Sequence, residues 1–374
     1  MCLFSESNQT ELSYWERESF TGEIDFLVVG AGIVGSSAAL GWIERNPDHR
    51  VVVIDKGMKP EGASTRNAGF ACIGSVSEHL DDIQSSGEEI VMKRVLRRWN
   101  GLQMLRNTLG DEEIGYEPCG GHEIFTDEKL YQECVDSMGS LNHNLEIMTG
   151  EKDVYRKVEY SGHPAIFNRL EGAVHAGKLM KTLHKKLEKA GVSIRWNHGI
   201  KAVEGQRVLL ESGHYLSAHN ILVAVNGFTK RLADLPVTPA RGMVMVTKPI
   251  KNLEWKGTFH YNKGYVYFRN IGERLLIGGA RNIDVDGETT DQFGINPAIK
   301  EWLIHFMNQT LKLPKGWEIE QQWSGIMGFT RDKEPLITRT DTGFWVAAGL
   351  SGMGVAIGME VGMKAVEGII FEKL

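Results

Sequence analysis

The segment Gly30-Ala31-Gly32-Ile33-Val34-Gly35 constrains the fold of this chain more than any other. An apolar run over residues 24–29 leads into it. A helical pattern over 36–45 leads out and is stopped by Asn46-Pro47. A second apolar run over 50–54 ends on Asp55, twenty positions after Gly35. Strand, glycine turn, helix and returning strand make one βαβ unit. In such a unit Gly30 permits the tight turn, Gly32 lets the backbone approach a diphosphate, and Gly35 lets the helix pack on the strand. The diphosphate sits over the helix N-terminus, where the N–H groups and the helix dipole favour negative charge. Asp55 accepts hydrogen bonds from ribose hydroxyls and repels a 2′-phosphate. The glycines and the acid in register predict dinucleotide binding, without separating FAD from NAD.

Two further segments favour FAD. Gly62-Ala63-Ser64-Thr65-Arg66-Asn67-Ala68-Gly69 is small and polar, suited to lie along an extended ribityl diphosphate. Gly349-Leu350-Ser351-Gly352-Met353-Gly354 precedes a helix whose N-terminus would stabilise negative charge at the N1–C2=O edge of reduced flavin. A polar surface loop and an ordinary strand-to-helix turn are the plain alternatives.

The rest of the chain organises around these motifs. Val91, Val95, Leu96, Trp99, Leu102 and Leu105 fall on one side of a helix predicted over 88–108. Another helix is predicted over 178–190, with Gly191 as its C-terminal stop, and short strands over 192–196, 200–203 and 221–225. After Pro236 and Pro239 the pattern turns to strands, over 243–247, 265–269 and 275–278. A strand over 344–347 and the 349–354 turn then restore the nucleotide-type pattern, followed by a helix running into Ile370. The expected fold class is therefore α/β (α+β overall). A Rossmann-like FAD-binding domain over 22–95, 150–236 and 325–374 is interrupted by a mostly antiparallel β-sheet substrate domain over 96–149 and 237–324. Residues 1–21 form an N-terminal extension.

Composition narrows the partners. The net charge of −6 carries no basic excess for nucleic acid. The four cysteines, Cys2, Cys72, Cys119 and Cys134, show neither a CxxC pair nor Cys/His metal spacing, so reduced thiols, no metal and a cytoplasmic setting are expected. The first 21 residues lack the basic and apolar regions of a secretory signal, and no apolar run is long enough to span a membrane.

The order GAGIVG, Asp55, GASTRNAG, EGAVHAGKLMKTL, VAVNGFT, PARGMV, WSGIMGFTRDKEPLI and AAGLSGMG resembles the D-amino-acid oxidase family of FAD-dependent oxidoreductases. The resemblance runs over about 24–367 and is nearest the glycine oxidase, sarcosine oxidase and glutamylputrescine oxidase branches. It implies FAD contacts at Gly30, Ala31, Gly32, Ile33, Val34, Gly35, Asp55, Lys56, Ser64, Thr65, Asn67, Ala68 and Gly69. It adds Ile200 at the adenine, Asn226 and Gly227 near the diphosphate, and Ser351, Gly352, Met353, Gly354 and Val355 at the flavin pyrimidine. Relatives that attach flavin covalently use a His where this chain has Asn67, or a Cys where it has Gly325, so the resemblance implies non-covalent FAD. Relatives that bind an α-carboxylate keep arginines where this chain has Met327 and Gly352, and a bidentate guanidinium is what such a carboxylate needs. Sarcosine oxidase relatives place an oxygen-activating Lys where this chain has Leu276.

The residues considered for substrate chemistry are Tyr265, Arg281, Met327 and His122. Tyr265 matches a substrate-side tyrosine of the family, with sheet packing as the alternative. Arg281, after Gly278-Gly279-Ala280, is a candidate for an anionic substrate. His122 is a pocket candidate, or a satisfied or solvated histidine. Arg66 is a site cation or surface, and Arg241 a structural residue at the domain junction. Asp284 and Asp286 mark a turn. No His/Asp constellation is visible in the sequence. The implied reaction is oxidation of a C–N bond of a small amine or amino-acid-like substrate by hydride transfer to flavin N5, with O2 or another electron acceptor. A hydroxy-acid oxidation and a non-catalytic flavin-binding role are the alternatives.

Overall fold

The computed structural model describes residues 13–15 and 23–372. Most of the expected N-terminal extension thus lies outside the described residues. The chain divides into two compact units. One comprises Met1–Thr65, Met180–Pro239 and Met327–Leu374, and the other Arg66–Leu179 and Ala240–Ile326.

The first unit is built on a sheet in the order Leu336–Arg339, Trp345–Ala348, Tyr215–Val223, Ile24–Val29, Val51–Ile54, Ser193–Arg195. The five strands from Trp345–Ala348 to Ser193–Arg195 run parallel, and Leu336–Arg339 is antiparallel at the edge. Phe26, Leu27, Val28, Val52, Val53 and Ile54 are wholly buried, as unbroken apolar strands covered on both faces must be. The helix Ile33–Arg45 starts three residues earlier than its sequence pattern, because the glycine turn itself feeds the first turn. It packs on the last helix, Gly354–Phe371. Gly358 lies against Ile33, Gly362 against Val34 and Ala38, and Gly41 against Met363. The numbers rise together on both helices, so the two run parallel. A Cβ at Gly362 would lie 2.4 Å from the Val34 carbonyl oxygen, so this approach requires glycine.

The second unit holds an eight-stranded sheet in the order Ile319–Phe329, Thr238–Thr247, Arg274–Gly279, Val266–Ile271, Thr258–Tyr261, Gly121–Ile124, His163–Asn168, Tyr155–Tyr160. From Thr238–Thr247 to Tyr155–Tyr160 the neighbours are antiparallel, except that Thr258–Tyr261 runs parallel to Gly121–Ile124. One face carries the apolar core, with Phe259, Phe268 and Ile277 packed with Ile299, Leu303 and Phe306 of the helix Pro297–Gln309.

The expected division differs from this one. Residues 66–95 and 150–179 fall in the second unit, not in the nucleotide-type one. The reason is packing: helices Val76–Ser86 and Glu88–Leu109 lie against the helix Glu128–Thr149, and Tyr155–Tyr160 and His163–Asn168 complete the second sheet. The helix Glu128–Thr149 has no counterpart in the hydrophobic pattern, because it buries only Cys134, Leu141 and Leu145. Its punctuation is legible: Asp127 accepts from the N–H groups of Lys129 and Leu130, and Gly150 ends it at φ 77°.

Candidate functional site

In the first unit the glycine turn is held from several sides. Gly30 sits at φ 108°, and a Cβ there would lie 2.6 Å from the Ala224 carbonyl oxygen. A Cβ at Gly35 would come 2.0 Å from the Gly30 carbonyl oxygen. Ala31 N–H donates to Asp55 Oδ2 at 2.8 Å, and Gly57 N–H to Asp55 Oδ1 at 2.9 Å. Each carboxylate oxygen has further accepting capacity. Ile33 N–H donates to Ser64 Oγ at 3.0 Å. The buried His184 donates from Nε2 to the Ala31 carbonyl at 2.8 Å, and burial lowers its imidazole below the ordinary value.

The parallel helices Ile33–Arg45 and Gly354–Phe371 start at the same end of their pair. Neither is closed by the side chain of its own capping residue, Gly32 or Met353. Two positive dipole ends therefore lie together beside two glycine turns. Asn226, at φ 47°, accepts the Gly349 N–H at 3.0 Å, and Ser351 N–H donates to the Gly328 carbonyl at 2.9 Å. Gly227 follows in a short 3-10 turn and Val355 is buried in the first turn of the last helix. Thr65 donates to the Pro60 carbonyl at 2.8 Å. Ile200 opens the strand Ile200–Glu204, and Met327 is half-buried. Lys56 points to solvent and pairs with Glu211 at 3.1 Å.

In the second unit, Asn67 Oδ1 accepts the Gly69 N–H at 2.9 Å. The buried Arg269 then donates to the carbonyls of Gly69, at 2.8 Å, and Val174, at 3.1 Å. Arg66 donates to the Ser324 carbonyl at 2.9 Å and lies 4.6 Å from the Phe293 ring centroid, so it is anchored to its own unit. Ala68 packs with Leu276, Val244, Val246 and Trp323 in a small apolar cluster. Ala280 N–H donates to the Tyr265 carbonyl at 2.6 Å, which brings Tyr265 and Arg281 to one end of a strand pair. Arg241 is paired with the buried Glu288 at 2.7 Å, and Asp284 Oδ1 accepts the Gly287 N–H of a turn.

The sheet face opposite the apolar core carries a row of polar side chains beside that small cluster. Glu123, His260, Tyr267, Gly278 and Val244 are successive cross-strand neighbours, so they share that face. A Cβ at Gly278 would lie 2.8 Å from the Tyr267 ring. Phe70 meets His260 and Tyr267 edge-on, at centroid distances of 5.3 and 5.7 Å. His260 Nε2 bonds Glu171 Oε1 at 2.6 Å. Burial pulls the His260 imidazole down, but the Glu171 charge and hydrogen bond outweigh it, and the imidazole lies above its ordinary value. Cys72 completes a buried trio whose ligand atoms lie within 4.8 Å of one another. Burial raises its thiol well above the usual range. Glu123 accepts from Ser75 Oγ, Ser77 N–H and Ser77 Oγ, and burial raises its carboxyl. Burial lifts the Tyr267 phenol to about 12.

His122 lies on the other face. It stacks on Phe259 at 5.1 Å and meets Tyr160 and Phe167, and burial lowers its imidazole. The structure therefore separates it from the Glu123–His260–Tyr267 row.

A family model described as FAD dependent oxidoreductase, DAO, matches residues 25–367. The chain belongs to this family. An opine oxidase subunit of Agrobacterium tumefaciens is 23% identical over 248 residues, covering 60% of this chain and 64% of the relative. N-methyl-L-tryptophan oxidase of Yersinia pestis is 25% identical over 228 residues, covering 59% of this chain and 58% of the relative. The matches thus span less than two thirds of these curated relatives. The crystal structure of glycine oxidase from Geobacillus kaustophilus superposes with a TM-score of 0.72 at 20% identity, over 93% of this chain and 95% of that one. The chain has the fold of that oxidase. Among the described residues, no helix is long and apolar enough to cross a membrane.

The first unit's geometry fits this cofactor. Its glycine turn admits no Cβ at Gly30 or Gly35, and two helix N-termini stand side by side where anionic groups are favoured. Sequence reasoning missed His184, Arg269 and the Cys72, Glu123, Glu171, His260 and Tyr267 group. One signal for the group was available: polar Thr258, His260, Tyr265, Tyr267 and Arg269 alternate with apolar Phe259, Val266 and Phe268, the mark of a sheet with two different faces.

Proposed function

We propose that this DAO-family protein oxidises a C–N bond of an amine or amino-acid derivative, using non-covalently held FAD. The observation that carries the reading is the pair of parallel helix N-termini over Gly30–Gly35 and Gly349–Gly354, a cradle for a dinucleotide, in a chain whose relatives are named for oxidising opines, N-methyl-L-tryptophan and glycine. FAD, when bound, would supply the two-electron acceptor for this oxidation. The contacts read from the sequence, at Gly30, Ala31, Gly32, Ile33, Val34, Gly35, Asp55, Ser64, Thr65, Asn67, Ala68, Gly69, Ile200, Asn226, Gly227 and Ser351 to Val355, are proposed as the residues that hold it. Asn67 and Gly325 stand where covalent attachment would need His or Cys. A Cβ at Gly325 would also lie 3.2 Å from Arg66 Cβ, which leaves little room for a larger residue.

The preferred substrate is bulkier than glycine or lacks a free α-carboxylate. Met327 and Gly352 occupy the positions where relatives keep carboxylate-binding arginines, and a charged hydrogen bond of that kind contributes about 1.5–3 kcal/mol. Tyr265 and Arg281, brought to one end of a strand pair, are the proposed substrate-side residues. Anaerobic mixing with glycine, sarcosine, D-alanine, N-alkyl amines, polyamine derivatives and hydroxy acids, followed by flavin bleaching, tests the reading. N-alkyl or polyamine compounds should bleach the flavin fastest. Reduction only by hydroxy acids, or by nothing in the panel, would replace it, and rapid reduction by low-millimolar glycine would overturn the substrate class. Acid treatment should release free FAD.

A further inference from the structure

We infer that Cys72, Glu171 and His260 form a binding site for one zinc-class divalent cation within the second unit. Their Sγ, carboxylate oxygen and imidazole nitrogen lie within 4.8 Å of one another and all three side chains are buried. Zinc takes this donor set, with sulfur near 2.3 Å and nitrogen or oxygen near 2.0–2.2 Å, and three protein ligands leave a fourth position for water. Bonds of about those lengths in a tetrahedron separate donor atoms by roughly 3.3–3.7 Å. The His260–Glu171 contact of 2.6 Å must therefore open by about 0.7 Å or more when the metal enters.

The surroundings define the positions of these donors. The Glu171 carboxylate occupies the space beside Gly121, where a Cβ would lie 2.3 Å from its Cδ. Phe70 covers the His260 ring edge-on, and His260 is fixed in the sheet between Glu123 and Tyr267. Ser75 and Ser77 hold Glu123 nearby. Charge is the second argument. A dication with a neutral imidazole, a carboxylate and a thiolate sums to zero. The occupied site would therefore carry no net charge in a region that solvates charge poorly. The mixed sulfur, nitrogen and oxygen set selects zinc over magnesium or calcium, which prefer oxygen alone.

The test uses the FAD-loaded full chain, incubated with Zn2+ and passed through a desalting column. Zinc per FAD is measured by elemental analysis and the ligand shell by X-ray absorption at the zinc edge. About one zinc per FAD with one sulfur near 2.3 Å is expected. Cys72→Ser should remove the sulfur shell and weaken zinc binding at least tenfold in competition with a chromophoric chelator. Glu171→Gln should weaken it similarly, and Cys119→Ser should leave both readouts unchanged. Failure to retain stoichiometric zinc, a shell without sulfur, or the same sulfur shell in Cys72→Ser would overturn the site. Because FAD content is measured in each sample, a variant that loses zinc while keeping FAD reports on the site and not on folding.

Discussion

The two units solve their chemistry with different materials. In the first, the groups proposed to meet FAD are largely main chain: a turn closed so tightly that Gly30 and Gly35 admit no Cβ, and two helices placed to share one positive end. In the second, the polar face is built from side chains brought from distant parts of the chain, with Cys72, Glu123, Glu171, His260 and Tyr267 on separate elements or turns. Main-chain sites demand glycine at fixed spacing and so leave a local record in the sequence. Side-chain clusters need only that each residue face the right way after folding. A buried ion pair is also expensive to assemble, since desolvation opposes the attraction, and it persists only where geometry and further hydrogen bonds offset that cost.

If this contrast is sound, the largest effects on folding should come from the second unit. His260→Ala leaves the Glu171 carboxylate buried without its partner, and removing one member of such a pair costs about 3–5 kcal/mol. Chemical denaturation of the FAD-loaded protein measures this. A loss under about 1 kcal/mol, the range of a solvent-exposed pair, would show that the polar face tolerates rearrangement and that the contrast is overstated.

A second residue, His79, gives the contrast a pH dependence. It is buried, with Nε2 bonded to the Tyr155 hydroxyl at 2.9 Å and Nδ1 without a partner, and burial lowers its imidazole to about 4. The unfolded chain takes up this proton near 6.5, so between about 6.5 and 4 the unfolded state binds more protons. Stability then falls as pH falls through that window, by roughly 3 kcal/mol in all at about 1.36 kcal/mol per unit. His79→Gln should flatten that part of the stability profile. An unchanged slope in the variant would assign the acid sensitivity to other groups.

What the sequence made legible follows the same division. The strand Ile24–Val29 was readable to the residue, and the first helix, the Val51–Ile54 strand and the last helix were readable to within a few positions, because buried parallel strands and glycine turns leave strong local patterns. Spacing alone set Asp55 against the glycine turn, where it accepts the Ala31 N–H. His184 left no such signal: on a helix of lysines it reads as surface, and only folding brings its Nε2 to the Ala31 carbonyl. His122, read beside Gly120-Gly121 as a pocket candidate or a satisfied or solvated histidine, packs against Phe259, Tyr160 and Phe167. Alternation distinguishes the two faces of a sheet but not which of them carries chemistry.

Within the first unit the prediction is smaller and concerns ligand affinity. Asp55→Ala removes the acceptor of the Ala31 and Gly57 N–H groups along with the proposed ribose contact. FAD binding to the apoprotein should weaken by about 1–3 kcal/mol, the range for hydrogen bonds that include a charged acceptor. An unchanged dissociation constant would place the ribose elsewhere.

The smallest expected effect falls on the neighbouring residue and separates position in sequence from role in the fold. Lys56 follows Asp55 directly, and family resemblance assigns both to FAD. The structure turns the Lys56 ammonium to solvent, with 68% of its side chain exposed, and pairs it with Glu211 at 3.1 Å, itself 48% exposed. An ion pair in that setting contributes about 0–1 kcal/mol, since water and salt screen it and two long side chains must be ordered. The backbone N–H at this position is unaffected by changing the side chain. Lys56→Ala should therefore alter FAD affinity by less than about threefold, or about 0.7 kcal/mol, with little change between low and high salt. Titration of wild-type and variant apoproteins with FAD at two ionic strengths measures both quantities. A roughly tenfold loss that disappears in high salt would mean that the ammonium reaches the diphosphate, and that side-chain charge shares the work of the main chain in this unit.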